Sequence, residues 1–156
     1  LSASLLTARS FAQTCTRCFR IYEGSAGMCH LCADSSRDQN TIVVVEKTAD
    51  IDVFSKTNYH GLFFVLGGLI PITQKSIIDG TNAKALVSRI TTEKNITEVI
   101  LAFPLTPNGD HTDSVIRELL SENAVTISSL GRGLSTGTEL EYADPASLEA
   151  SLKKRA

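Results

Sequence analysis

From residue 41 onward the apolar positions of this chain fall into two alternating rhythms. Thr41 to Val45 (TIVVV) is an unbroken, β-branched run, the pattern of a strand buried on both faces. Leu62 to Leu66 (LFFVL), Val99 to Ala102 (VILA) and Val125 to Ser128 (VTIS) read as three more strands. Between them the spacing becomes helical. Ala83, Leu86, Val87 and Ile90 stand at i, i+3, i+4 and i+7, an amphipathic stripe. Val115, Ile116, Leu119 and Leu120 form another. Thr48 is placed to cap a helix in which Ile51 and Phe54 fall three apart. Pro145, after Asp144, opens a last helix that turns Leu148 and Leu152 inward.

Strand and helix thus alternate, which predicts an α/β domain with a parallel, doubly wound sheet and right-handed crossovers. On such a sheet the functional residues gather at the carboxyl ends of the strands. Those ends are Glu46, the pair Gly67 and Gly68, a loop from Phe103 to His111, and a Gly-rich loop from Gly131 to Gly137.

The segment ahead of residue 41 follows neither rhythm and holds all four cysteines, as Cys15-x2-Cys18 and Cys29-x2-Cys32. A CxxC pair forms a tight knuckle that aims both sulfurs at one point, and two knuckles satisfy a tetrahedral Zn2+. Gly24 and Gly27 suit a turn between two short ribbon strands. Four thiolates leave no open coordination position, so this metal is structural. Two disulfides or a redox CxxC are the competing readings. The first requires an oxidising compartment, and nothing in the sequence indicates export. The second usually occurs once, at a helix start. His30 lies between Cys29 and Cys32 and reads as a bystander. A module this small cannot bury a useful core, so the metal supplies its folding energy.

The length of 156 residues suits one domain, or a small module plus one domain. With 42% hydrophobic and 21% charged residues, the composition is that of a globular chain. No run is apolar and long enough to cross a membrane. Leu1 to Thr14 lack the basic and apolar regions of a signal peptide, and the chain starts at Leu1. The formal net charge of −2 is not that of a stand-alone nucleic-acid binder. Positive charge does cluster: Arg9, Arg17, Arg20 and Arg37 lie in or beside the cysteine module, and Lys153, Lys154 and Arg155 close the chain. The ordinary reading of both clusters is a solvated surface.

Catalytic signals are sparse. Glu46 directly follows the first buried strand, where an acid can act as a general base or hold Mg2+. Asp50 and Asp52 follow on the adjacent helix, where acids also complement the helix dipole. A magnesium site wants two further carboxylates, two apart, just after Ala102, but only Asp110 is acidic in that loop. The spacing Gly131-x-Gly133-x3-Gly137 lacks the phosphate-loop pattern and follows the last strand rather than the first. His60 and His111 have no neighbouring nucleophile in sequence.

In combination these segments resemble one family, the bacterial recombination mediators of the RecR type. The resemblance runs from Cys15 to Arg155. It is carried by the CxxC pairs with Arg37 and Asp38, and by Val43 to Glu46 with Asp50. It continues through Tyr59 to Gly68, Glu98 to Ala102, Gly109 to Thr112, Gly133, Leu134, Gly137, and Leu140 to Asp144 with Leu148. The resemblance implies a small four-cysteine zinc finger followed by a Toprim-like doubly wound parallel sheet. On it, residues 1–14 are an N-terminal helical remnant, 15–38 the zinc finger, 39–129 the Toprim domain, and 130–156 a Gly-rich loop and helix available for oligomer contacts.

Catalytic Toprim proteins pair the acid at Glu46 with a DxD motif that would fall at Pro104 and Thr106. Its loss here fits a non-catalytic member. The family also implies partners of the RecO and RecF type, loading of RecA on single-stranded DNA, a homo-dimer or tetramer, and a cytoplasmic, nucleoid-associated location. Glu46 and Asp110 are then the partner-binding candidates, and Arg17, Arg20 and Arg37 the DNA-binding ones. The alternative is a Mg-dependent Toprim nuclease or primase-like enzyme using Glu46 and Asp110. The sequence departs from the family in two ways. Only Leu1 to Thr14 precede the cysteines where the family has a helix-hairpin-helix region, and Asn108 and Ser135 stand where Glu and Pro are usual. Weak DNA binding is therefore expected of this chain.

Overall fold

The computed structural model describes residues 12–24, 27–73, 80–130 and 152. Two short strands, β1 (Ala12–Thr14) and β2 (Ile21–Glu23), pair antiparallel and carry the first cysteine knuckle between them. A single helical turn, α1 (His30–Ala33), carries the second. The alternating unit follows: β3 (Thr41–Val45), α2 (Thr48–Phe54), β4 (Leu62–Val65), α3 (Ala83–Thr92), β5 (Glu98–Ala102), α4 (Pro107–Leu119) and β6 (Thr126–Ser129). The four longer strands are parallel in the order β4-β3-β5-β6.

The unbroken apolar runs exist because both faces of this sheet are covered. Ile42, Val44, Leu62, Phe64, Val99 and Leu101 point to one face, against Leu86 and Ile90 of α3 and Ile116 of α4. Val43, Val45, Phe63, Val65, Ile100 and Ala102 point to the other, against Ile51 and Phe54 of α2. Alternate residues of each strand therefore enter different cores, the period-two geometry of a pleated strand. Leu152 is half-buried against the second core, as its inward assignment required. The Gly131 to Gly137 loop, Ser135, the helix opened by Pro145 and the basic close at Lys153 to Arg155 lie outside the described residues.

Two local expectations are corrected. Thr48 does not cap α2; it is the first residue of that helix, and Lys47 is the cap. The Thr48 hydroxyl instead accepts the Ile21 N–H at 3.1 Å, tying the β1–β2 ribbon to the sheet. The segment from Phe103 to His111 is a loop only as far as Thr106. There α4 begins, with Thr106 as its cap, its hydroxyl accepting the Gly109 N–H at 3.1 Å, and with Pro107 in its first turn. Pro, Asn and Gly together read as a turn, yet Gly109 sits inside the helix for steric reasons. A Cβ there would stand 1.9 Å from the Pro104 carbonyl oxygen.

The cysteine module is not a free-standing appendage. β4 is an edge strand, and an uncovered edge exposes unpaired N–H and C=O groups. The Val65 N–H donates to the Cys18 carbonyl at 2.8 Å. Arg89 of α3, only 7% exposed, donates from Nη1 to the carbonyls of Phe63 and Arg17, both at 3.1 Å. Phe19 takes a left-handed conformation (φ 62°) that closes the knuckle and sets its ring 5.5 Å from that of Phe64. The first knuckle thus caps the outer edge of the sheet.

A part-buried ion pair fastens the cap. Arg17 donates to Glu93 from Nη2 at 2.5 Å and from Nε at 3.3 Å, and Arg89 Nε donates to the same carboxylate at 3.1 Å. Burial works to raise the Glu93 carboxyl, but the hydrogen bond from Arg17 and the charge of Arg89 outweigh it and hold it below its ordinary 4.5. A depressed carboxyl stabilises the fold above its unfolded pKa, and that contribution is lost as pH falls through the folded value. Glu93→Gln is therefore expected to lower the melting temperature at neutral pH. Acid melts followed below pH 4.5 should show the difference from the parent shrinking.

Candidate metal centre and the acidic end of the sheet

The cysteine cluster is built from the knuckles upward. Cys15 N–H donates to the Arg20 carbonyl at 2.8 Å, closing the first loop, and Ala33 N–H donates to the Cys29 carbonyl at 3.0 Å, closing the second. Cys15, Cys18 and Cys29 are fully buried and Cys32 nearly so. The four Sγ atoms lie within 4.8 Å of one another. Cys15 and Cys32 stand 3.7 Å apart, Cys18 and Cys29 3.6 Å. A disulfide requires about 2.05 Å, so these are not bonded pairs. A tetrahedron of sulfurs about 2.3 Å from a central Zn2+ has S···S edges of about 3.8 Å, which the Cys15–Cys32 and Cys18–Cys29 separations match.

Its electrostatics also call for a cation. Hydrogen bonding with Cys29 pushes the Cys18 thiol up to about 12, while hydrogen bonds from Cys18 and Cys32 hold Cys29 down. Hydrogen bonding with Cys18 and Cys29 raises Cys32. Thiols packed this closely cannot all ionise alone, and a divalent cation removes that conflict. The Cys29 N–H donates to Cys15 Sγ at 3.3 Å, the kind of outer contact that fixes a ligand's direction. Four cysteines that can hold a metal ion therefore stand where the spacing put them.

Glu46 is half-buried at the carboxyl end of β3. It lines a cleft of 440 Å³ shared with Ile21 of the ribbon, Val65, and the turn at Gly67 and Gly68. Its carbonyl accepts the Gly67 N–H at 2.9 Å. Asp50 is 2% exposed, and its Oδ2 accepts the Lys47 N–H at 3.3 Å, so it closes the start of α2. Asp110 is exposed in the first turn of α4, where the helix dipole favours an acid. Among the described residues, the cysteines are the one group of three or more metal-binding side chains that lie together. Glu46 and Asp110 are in no such group.

The two DxD positions are taken by backbone work. Pro104 offers its carbonyl to the Thr106 N–H at 2.9 Å, and Thr106 caps α4. Asn108 has a comparable job: its Oδ1 accepts the Ile72 N–H at 3.3 Å, holding the segment after β4. Beside it Thr112, fully buried, accepts the Ile70 N–H at 2.8 Å and donates to the Asn108 carbonyl at 2.7 Å.

The three arginine candidates part company. Arg17 is committed to Glu93 and donates to the Cys32 carbonyl at 3.1 Å; the hydrogen bond to Glu93 raises its pKa. Arg37 donates from Nε to the Gly61 carbonyl at 2.9 Å and lies over the Phe63 ring at 5.6 Å. Arg20 faces a second cleft beside Arg37. His30 and His60 are exposed on that cleft, and His111 is half-buried in α4. Sequence reasoning missed Arg89 and Glu93; their i, i+4 spacing was the available signal.

Comparison with known proteins agrees with this architecture. A profile for the Toprim domain matches residues 40–131. The "Recombination protein RecR" of Levilactobacillus brevis is 37% identical over 99% of this chain and 77% of its own length. Those of Streptococcus mutans and Streptococcus pyogenes are each 35% identical over 97% of the chain and 76% of theirs. A four-cysteine cluster capping a parallel Toprim sheet, together with near-full-length similarity to these proteins, places the chain in the RecR family of recombination proteins.

Proposed function

We propose that this chain is a non-catalytic mediator of DNA repair and homologous recombination. It acts as a clamp or adaptor with partners of the RecO and RecF type and helps load RecA on single-stranded DNA. The observation that carries this reading is the fate of the DxD positions. In a fold whose catalytic members need three carboxylates, Pro104 and Thr106 instead shape and cap the start of α4. Glu46 and Asp110 are left as acidic groups for a partner rather than for Mg2+. The cysteine cluster holds one Zn2+, whose contribution is folding energy. Arg20 and Arg37 are the DNA-facing arginines, with Arg17 chiefly a fastener of the module. Residues 130–156 serve oligomer contacts in a homo-dimer or tetramer, and the protein works in the cytoplasm at the nucleoid.

Charge reversal tests the partner surface. Glu46→Lys and Asp110→Lys are each expected to weaken binding of a RecO-type partner by about tenfold, since a close charge pair lost to repulsion costs more than about 1.4 kcal/mol. Calorimetric titration of the metal-loaded chain reads this directly. Unchanged affinity in both variants would remove these acids from the interface.

A further inference from the structure

A cleft of 330 Å³ lies between the cysteine module and the α2 face of the sheet. Arg20 and His30 line it from the module, Arg37 from the linker, and Asp52, Tyr59 and His60 from the sheet domain. Among the described residues, Arg20 is in no ion pair. Its Nε and Nη1 are shielded from water and meet no acceptor. Shielded donors left without an acceptor are destabilising and rare in native proteins. Arg37 is pinned by its Nε bond to Gly61 and by the Phe63 ring, so its guanidinium is held in a fixed plane. Asp52 is the acid among these residues, and no ion pair among the described residues joins it to either arginine.

Two guanidinium groups with unspent donors, flanked by two imidazoles, form a receptor for an oxyanion. Guanidinium forks match phosphate oxygens two at a time. The cleft is also larger than a phosphate alone, leaving room for an attached sugar. We propose that this cleft is a phosphate seat that takes one phosphodiester of a single-stranded nucleic acid, with Arg20 and Arg37 as its donors. The inference rests on the DNA-facing role given above to the module's arginines and narrows it. Arg17 is set aside because each of its three guanidinium nitrogens already donates, to Glu93 or to the Cys32 carbonyl.

The test reads the arginine Nε–H signals of the zinc-loaded chain in proton–nitrogen correlation spectra. Three probes are added at constant ionic strength: inorganic phosphate, acetate and oligothymidylate. The signals of Arg20 and Arg37 should move with phosphate and with oligothymidylate, and far less with acetate. Arg20→Gln should weaken oligothymidylate binding about tenfold and reduce the slope of log Kd against log salt by about 0.7, with zinc content and melting temperature retained. Oligothymidylate binding that Arg20→Gln leaves unchanged in affinity and salt slope overturns the seat while leaving DNA binding intact. If phosphate moves both signals but the parent chain binds no oligothymidylate, the nucleic-acid source is overturned, and the DNA-facing role with it. Signals that ignore phosphate, or follow acetate equally, show that no phosphate seat exists.

Discussion

Removing the metal, or replacing Cys18 by serine, is expected to unfold residues 15–32 and to lower the melting temperature of the whole sheet by roughly 10 °C. The first effect follows from size: the module has four buried cysteines as its core and little else, so metal binding is its folding energy. The second follows from where the module sits. Losing the knuckle strips the acceptor from the Val65 N–H and one acceptor from Arg89, and it breaks the Arg17 to Glu93 pair. At about 1 kcal/mol for each lost interaction this amounts to about 3 kcal/mol, or roughly 10 °C for a chain of this size. A chelator titration followed by circular dichroism and a thermal melt checks it. A sheet that melts unchanged after the metal has gone would mean that the knuckle rests on the edge without supporting it.

Gly109→Ala is expected to destabilise the protein by about 3 kcal/mol, the upper end of what forced overpacking costs. The added carbon would lie 1.9 Å from the Pro104 carbonyl oxygen, which is backbone and cannot swing aside. Either the first turn of α4 or the loop at Pro104 has to move. Both outcomes disturb the Thr106 cap and the contacts that Asn108 and Thr112 make to Ile72 and Ile70. Urea denaturation, with the parent alongside, measures the loss. An unchanged midpoint would show that the loop yields freely.

Much of this architecture is legible in the sequence because it is local. β-Branched runs announce buried strands, i, i+3, i+4 spacing announces α3, and paired CxxC spacing announces the metal cluster. What could not be read is long-range or depends on close approach. Arg17 and Glu93 are 76 residues apart, and nothing local marks either as half of a pair. Arg89 looks like a surface residue beside the apolar stripe of α3, yet it is buried because β4 needs its edge covered. Pro107, Asn108 and Gly109 carry turn chemistry, so the helix that starts there is hidden until the Pro104 carbonyl is seen against Gly109. Glu46 and Asp110 were visible as acids at the right end of the sheet. Their role is less legible, since a carboxylate that meets a partner and one that holds Mg2+ look alike in sequence.

That last ambiguity is resolved most directly by assaying the zinc-loaded chain for Mg2+-dependent cleavage, primer synthesis and strand passage, with Glu46→Gln measured in parallel. A non-catalytic mediator gives no turnover above the buffer background in either protein. Robust turnover by the parent that Glu46→Gln abolishes would make Glu46 a catalytic carboxylate and contradict the mediator reading.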